Sequence, residues 1–286
     1  MNRPPVCAVG VIGAGTMGVG IANVFAQASC TVALAEPDQQ RAAAAVRTIT
    51  ARADKLQNEN RLAAERAEHI RTAVSVLDFV DALPIGLDLI VEAVPEKLEL
   101  KLSILAAAER REPVLLASNT SALSISLLAE PLRRPQNLIG LHFFNPVWSM
   151  PLLEIVRGPA NSDDVIAAAV DIGHFIGKET IVVRDYPGFA TSRLGVALGL
   201  EAIRMLEDRV AVAEDIDRAM ALGYRHPMGP LRLTDLIGLD VRLHIAQQLA
   251  HSLGARFSPS QLLIDKVAVG ELGKKSGRGF FHWDEQ

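Results

Sequence analysis

Cysteine is nearly absent from this 286-residue chain: only Cys7 and Cys30 occur, with no CxxC and no Cys/His cluster. That excludes a disulfide-stapled fold and thiolate metal sites, and it suits a reducing cytoplasm. Aromatic residues are scarce, at 5%, and nowhere interleave with a basic block, so nucleic acid is excluded as a partner. Neither sign of charge dominates: 29 Lys and Arg stand against 33 Asp and Glu, a net of -4. No stretch approaches the ~18 consecutive apolar residues of a membrane span. The opening Met1-Asn2-Arg3-Pro4-Pro5 leads into a short apolar run that fits a strand better than a signal peptide. What the chain does have is hydrophobic residue, 49% of the total, enough to fill one large or two ordinary cores.

The apolar runs alternate with helical patterns. Residues 6–12 form a nearly continuous apolar run, as in a strand buried on both faces. A glycine-rich turn follows, then a helix over 21–28 and a second strand over 31–35. An Ala-rich helix spans 38 to about 58 by propensity. Further strands are predicted over 87–94, 114–118, 138–143, 152–156 and 180–184, with helices from about 96 and over 163–176. This is an α/β pattern with a mainly parallel sheet covered on both faces. After Pro187-Gly188 no convincing strand remains, and 189–207, 213–222, 231–250 and 259–269 read as helices or broken helices. The expected organisation is a sheet domain over 1–186 and a smaller all-α domain over 187–286.

Gly13-Ala14-Gly15-Thr16-Met17-Gly18 fits GxGxxG, and it follows a predicted strand and opens a helix. Gly13 allows a tight turn, Gly15 lets the backbone approach a pyrophosphate, and Gly18 permits close helix–strand packing. The helix N-terminus then faces the phosphates. This is a Rossmann-type dinucleotide site; the competing reading is an ordinary tight turn. Glu36 ends the second strand about 20 residues on, where a carboxylate accepts both ribose hydroxyls of NAD and repels a 2′-phosphate. Glu36 could instead be a solvated acid at a helix start, and Arg41 could reach round to a phosphate. NAD is the expected cofactor.

His142 closes the predicted strand 138–143, at the end that faces the ligand crevice of a parallel sheet. Twelve residues on, Glu154 sits within Leu152-Leu153-Glu154-Ile155-Val156, where a buried carboxylate needs a partner. A His–Glu pair supplies one, and it also makes a base, because the carboxylate holds one ring nitrogen and stabilises the imidazolium. The competing reading for His142 is a satisfied core histidine.

With those residues in view, the chain resembles the short-chain L-3-hydroxyacyl-CoA dehydrogenases. The resemblance runs from Gly13 through Ala22 to Val91-Glu92-Ala93-Val94-Pro95-Glu96, Ser118-Asn119-Thr120-Ser121 and His142-Phe143-Phe144-Asn145-Pro146. It continues through Pro187-Gly188-Phe189, Glu214-Asp215-Ile216-Asp217, His226-Pro227-Met228-Gly229-Pro230, Gly238-Leu239-Asp240 and the segment from Gly273 to Phe281. As an ordered set spanning nearly the whole chain these motifs are highly specific. The resemblance implies His142 as catalytic base, Glu154 as its orienting acid, Ser121 as hydrogen-bond partner of the reacting oxygen, and Asn145 between substrate and nicotinamide. It places Glu96, Lys101 and Lys275 on the cofactor. It also implies an acyl-CoA substrate and a homodimer. Each residue has a plainer alternative: Ser121 as a helix N-cap, Asn145 as a turn residue, the three charges as solvated surface.

Two positions depart from the family pattern. Ser192 stands where the family has an Asn that contacts the substrate; its hydroxyl is shorter and reaches the thioester carbonyl through water at best. Trp148-Ser149-Met150-Pro151 replaces a segment that in the family often holds Pro and Lys. Both touch substrate fit more than hydride chemistry. Two rival functions stay open at this point: a sugar-acid 3-dehydrogenase, acting for example on L-gulonate, and a non-catalytic NAD-binding protein. In the second domain, Leu194 to Leu200 is apolar with Gly195 and Gly199 spaced for close helix packing, either within the chain or between two copies.

Overall fold

The computed structural model describes residues 6–283, so the opening Met1-Asn2-Arg3-Pro4-Pro5 lies outside the described residues. The chain divides into two compact units, the first ending at Asp185 and the second beginning at Tyr186.

In the first unit the strands are β1 (Ala8–Ile12), β2 (Thr31–Ala35), β3 (Val74–Leu77), β4 (Leu89–Glu92), β5 (Leu115–Ser118), β6 (Leu138–Phe143), β7 (Leu152–Arg157) and β8 (Glu179–Arg184). They form one sheet in the order β3-β2-β1-β4-β5-β6-β7-β8. The first six strands thus take the 3-2-1-4-5-6 order of the doubly wound dinucleotide fold. All pairings are parallel except β6 with β7, which is antiparallel. Helices α1 (Thr16–Gln27), α2 (Gln39–Asn58), α3 (Ala64–Ala73), α4 (Leu98–Glu109), α5 (Ile125–Ala129) and α6 (Asp163–Phe175) make the connections. The central strands are apolar throughout because both faces are covered: β4, β5 and β6 are buried at every position.

The expected α/β order is present, with four differences. Helix α1 starts at Thr16, five residues before the predicted 21, directly out of the glycine turn. Gly18 and Gly20 lower helix propensity there, yet close packing requires them: a Cβ on Gly18 would lie 1.8 Å from the Gly13 carbonyl oxygen, and one on Gly20 would lie 2.6 Å from Val147. The edge strand β3, helix α3 and the five-residue helix α5 were not foreseen. β3 has only four residues and half-exposed burial, and α3 is highly charged and begins without a side-chain cap.

The second unit is helical among its described residues: α7 (Thr191–Glu207), α8 (Ala213–Arg218), α9 (Pro230–Ile237), α10 (Leu239–Leu253) and α11 (Gln261–Ala268). Their core includes Val196, Leu200, Ile203, Leu231, Leu249 and Leu263. The predicted helix over 231–250 is broken at Gly238, whose φ of +105° suits glycine. Gly195 and Gly199 serve packing inside the unit, since a Cβ at either would touch the guanidinium of Arg242, 3.4 Å away. The tail motif also has a structural cause. The carboxylate of Asp235 accepts the backbone N–H groups of Phe280 and Phe281 and the indole N–H of Trp283, and a Cβ on Gly273 or Gly279 would collide with Asp235.

Candidate active site

The glycine turn leaves β1 with Gly13 at φ +99°, a conformation that L side chains rarely adopt. A Cβ on Gly15 would meet no protein atom within 4 Å, so the space before this backbone is open. α1 begins there with Gly15 at its N-cap, no side-chain cap and no acid in its first turn. Its orphan N–H groups and positive dipole end are therefore offered to an anion. Gly13, Gly15, Thr16, Met17 and Glu36 line a cleft of about 580 Å³, at the switch point where β1 and β4 part.

Glu36 is 5% exposed. Its Oε2 accepts the Ala14 N–H at 2.9 Å and its Oε1 the Asp38 N–H at 3.0 Å, so one carboxylate ties the glycine turn to the end of β2. Arg41 pairs with it at 3.3 Å and with Asp38 at 3.2 Å. The guanidinium charge is thus already balanced by two acids, and a carboxylate with about four acceptor positions keeps capacity for a ribose hydroxyl. These residues fit NAD. Phe79, 66% exposed and lining the same cleft, escaped the sequence reading because the short strand β3 before it did.

His142 and Glu154 are directly opposite each other in the β6–β7 register. His142 Nδ1 lies 2.8 Å from Glu154 Oε2; the residues are 6% and 0% exposed. The antiparallel turn of β7 makes this possible. β6 runs parallel to β5 and ends at the ligand edge of the sheet, and β7 starts back from that same edge. The His142 ring also packs on Phe144 at 4.4 Å between centroids, and Asn119 Oδ1 accepts the Phe143 N–H at 2.9 Å, holding the strand end. Asn145 is exposed and joined to Pro146 by a cis peptide bond.

A second polar assembly fixes the loop that carries Ser121. Glu96 Oε1 accepts the N–H groups of Ser121 and Ala122 at 3.0 and 3.1 Å and the hydroxyl of Thr120. Beneath it, Lys101 is 1% exposed, with its ammonium 2.7 Å from Glu92 and 3.2 Å from Glu96. Glu92 also accepts the Ser118 hydroxyl at 2.6 Å. Lys101 is therefore enclosed in an ion network, and the plainer alternative of solvated surface charge holds for neither it nor Glu96. Helix α5 is capped by Ser124, whose hydroxyl accepts the Leu127 N–H, so Ser121 is not the N-cap. Asp185 then takes the hydroxyls of Ser124 and Ser126 and two backbone N–H groups of α5; no motif pointed to it. Ser192 and Lys275 belong to the second unit, where Ser192 is in the first turn of α7 and Lys275 is paired with Asp240 at 2.6 Å.

The burial of Cys30 pushes its thiol up to about 12, which makes it inert. Among the described residues no helix is long and apolar enough to cross a membrane.

Residues 8–186 match the NAD binding domain of 3-hydroxyacyl-CoA dehydrogenase, and residues 188–283 match the C-terminal domain of the same family. The chain is 36% identical to a probable 3-hydroxybutyryl-CoA dehydrogenase of Bacillus subtilis, over 96% of this chain and 97% of that protein. It is 38% identical to a 3-hydroxybutyryl-CoA dehydrogenase of Mycobacterium tuberculosis, over 96% and 97%. The crystal structure of (S)-3-hydroxybutyryl-CoA dehydrogenase PaaH1 from Ralstonia eutropha superposes with a TM-score of 0.92 at 35% identity, covering 98% of this chain and all of that one. The glycine turn, the balanced Glu36 and this likeness over both units lead to one conclusion: the chain belongs to the 3-hydroxyacyl-CoA dehydrogenase family and is an NAD-dependent oxidoreductase.

Proposed function

We propose that this protein interconverts (S)-3-hydroxyacyl-CoA and 3-oxoacyl-CoA, with His142 as general base and Glu154 as the group that orients it. The observation that carries the reading is the buried 2.8 Å contact between His142 Nδ1 and Glu154 Oε2 at the ligand edge of the sheet. With Nδ1 engaged by the carboxylate, Nε2 is the nitrogen that takes the proton from the 3-hydroxyl. Glu154 holds the ring in one tautomer and stabilises the imidazolium that forms. Bound NAD supplies the hydride acceptor. Ser121 hydrogen-bonds the 3-oxygen as negative charge develops on it, and Glu96 holds the Ser121 backbone for that task. In the reductive direction His142 returns the proton to the same oxygen.

Asn145, Ser192 and Lys275 carry over by resemblance: Asn145 between substrate and nicotinamide, Ser192 on the substrate, Lys275 on the cofactor. Lys101 serves the cofactor site by holding Glu96. The names of the relatives support a short acyl chain, and the unpaired Cys7 and Cys30 suit a cytoplasmic protein. The test is turnover of acetoacetyl-CoA with NADH and with NADPH, beside oxidation of L-gulonate with NAD. The expected result is rapid acetoacetyl-CoA reduction with a strong preference for NADH. Turnover of gulonate alone would move the protein to sugar acids, and NADH binding without turnover of either would make it a non-catalytic binder.

A further inference from the structure

The turn between the two strands that carry His142 and Glu154 is held by a buried cation. Lys178 is 6% exposed, and its ammonium donates to the carbonyl of Val147 at 2.5 Å and to that of Met150 at 2.7 Å. Its own backbone is anchored: the Lys178 N–H donates to the Gly173 carbonyl at the end of α6, after Gly177 in a left-handed conformation. The next residue, Glu179, donates to Pro151 and enters β8, which pairs with the Glu154 strand. The same turn is pressed from two other sides. Val147, 2% exposed, fills the notch that Gly20 leaves on α1. The Trp148 ring lies under the guanidinium of Arg52 from α2, 4.5 Å away.

Burying an ammonium is costly, and desolvation holds this one below the ordinary lysine range. Two neutral carbonyls on a surface turn could have pointed to water instead. A cation that gathers both carbonyls has a geometric consequence: it closes the turn at fixed width, and Asn145 enters that turn two residues before the first clamped carbonyl.

We propose that Lys178 is a positioning residue for the reaction, whose clamp on the Val147 and Met150 carbonyls sets the place of Asn145 and of the strand ends bearing His142 and Glu154. This rests on the reading of His142, Glu154 and Asn145 given above. The competing role is purely structural, a plug for two carbonyls whose loss lowers stability and leaves turnover intact.

The experiment measures kcat and KM for acetoacetyl-CoA, the Kd for NADH by fluorescence, and thermal melting in a variant set. Lys178→Met removes both hydrogen bonds at similar volume. It should lower kcat about tenfold or more while the Kd for NADH moves less than about threefold, because a misplacement of ~1 Å can cost ~10²-fold in rate. Gly20→Ala perturbs the same turn from the opposite side, since its Cβ would lie 2.6 Å from Val147. It should also lower kcat, and adding Val147→Gly, which removes both the Cγ2 at 2.6 Å and the Cβ at 2.7 Å from the added methyl, should restore it. A folded Lys178→Met variant with unchanged kcat, beside an impaired Asn145→Ala, would overturn the proposal and leave the active-site reading standing. Unchanged kcat in both Asn145→Ala and His142→Ala would overturn the reading and the proposal with it. Should Lys178→Met fail to fold, the Gly20 variants decide: recovery of kcat in the double variant supports the clamp, and no recovery contradicts it.

Discussion

At the scale of single residues, the site is built from carboxylates that each do two jobs. Glu36 faces the cleft and also holds the Ala14 and Asp38 N–H groups. Replacing it with Ser should therefore have two effects in cofactor kinetics. The preference for NADH over NADPH should narrow, because the charge opposite a 2′-phosphate is gone, and NADH itself should bind more weakly, because the glycine turn loses an anchor. A variant with undiminished preference would remove Glu36 from cofactor selection. Lys101 is the cationic counterpart. Its ammonium is the partner of two acids, one of them completely buried. Lys101→Met leaves Glu92 buried without its cation, a kind of loss worth about 3–5 kcal/mol of stability. Denaturant unfolding reads this directly, and an unchanged midpoint would show that the network is energetically idle. Lys101 also shows a limit of the sequence: a lysine about five residues into a predicted helix looks solvated until the strand ends beneath it are known.

At the scale of elements, the β1–turn–α1 unit depends on a contact no side chain can share. A Cβ on Gly18 would sit 1.8 Å from the Gly13 carbonyl oxygen, so Gly18→Ala must displace either the turn or the helix. NADH binding should be lost or severely weakened in titration calorimetry; wild-type affinity would contradict the packing argument. This unit was legible in the sequence because its glycines, apolar strand and spacing to Glu36 all pointed the same way. The true start of α1 was less legible, since Gly18 and Gly20 lower local propensity and only tertiary contacts explain them. β3 and α3 were missed for the opposite reason: a four-residue edge strand and a charged, uncapped helix carry little periodicity. The apolar setting of Glu154 announced that it needed a partner. The device that provides one, a single antiparallel pairing in a mainly parallel sheet, had no signature of its own. Lys178 and Asp185 were invisible for a similar reason, because their partners, backbone carbonyls for Lys178 and serine hydroxyls with backbone N–H groups for Asp185, are distant in sequence.

At the scale of the whole molecule, the motifs that run the length of the chain divide between chemistry and architecture. Gly229 and Gly273 are explained by Asp217 and Asp235, against which a side chain would collide, whereas the His142 segment has its explanation at the ligand edge. The helical unit exposes Leu233, Leu236, Ile237 and Val241, each at about 40%, and the family resemblance supports pairing of two copies through this unit. Light scattering at micromolar concentration should give the mass of a homodimer; a monomer mass would refute it. The central claim is that Glu154 works through His142 on the substrate proton, and the measurement that tests it most directly is kcat, with the Kd for NADH, for Glu154→Gln beside the unaltered protein. The account predicts a loss on the order of 10²-fold or more, the usual worth of a general base. It also predicts an almost unchanged Kd for NADH, because neither side chain touches the glycine turn or Glu36. Near-normal turnover in Glu154→Gln would contradict it.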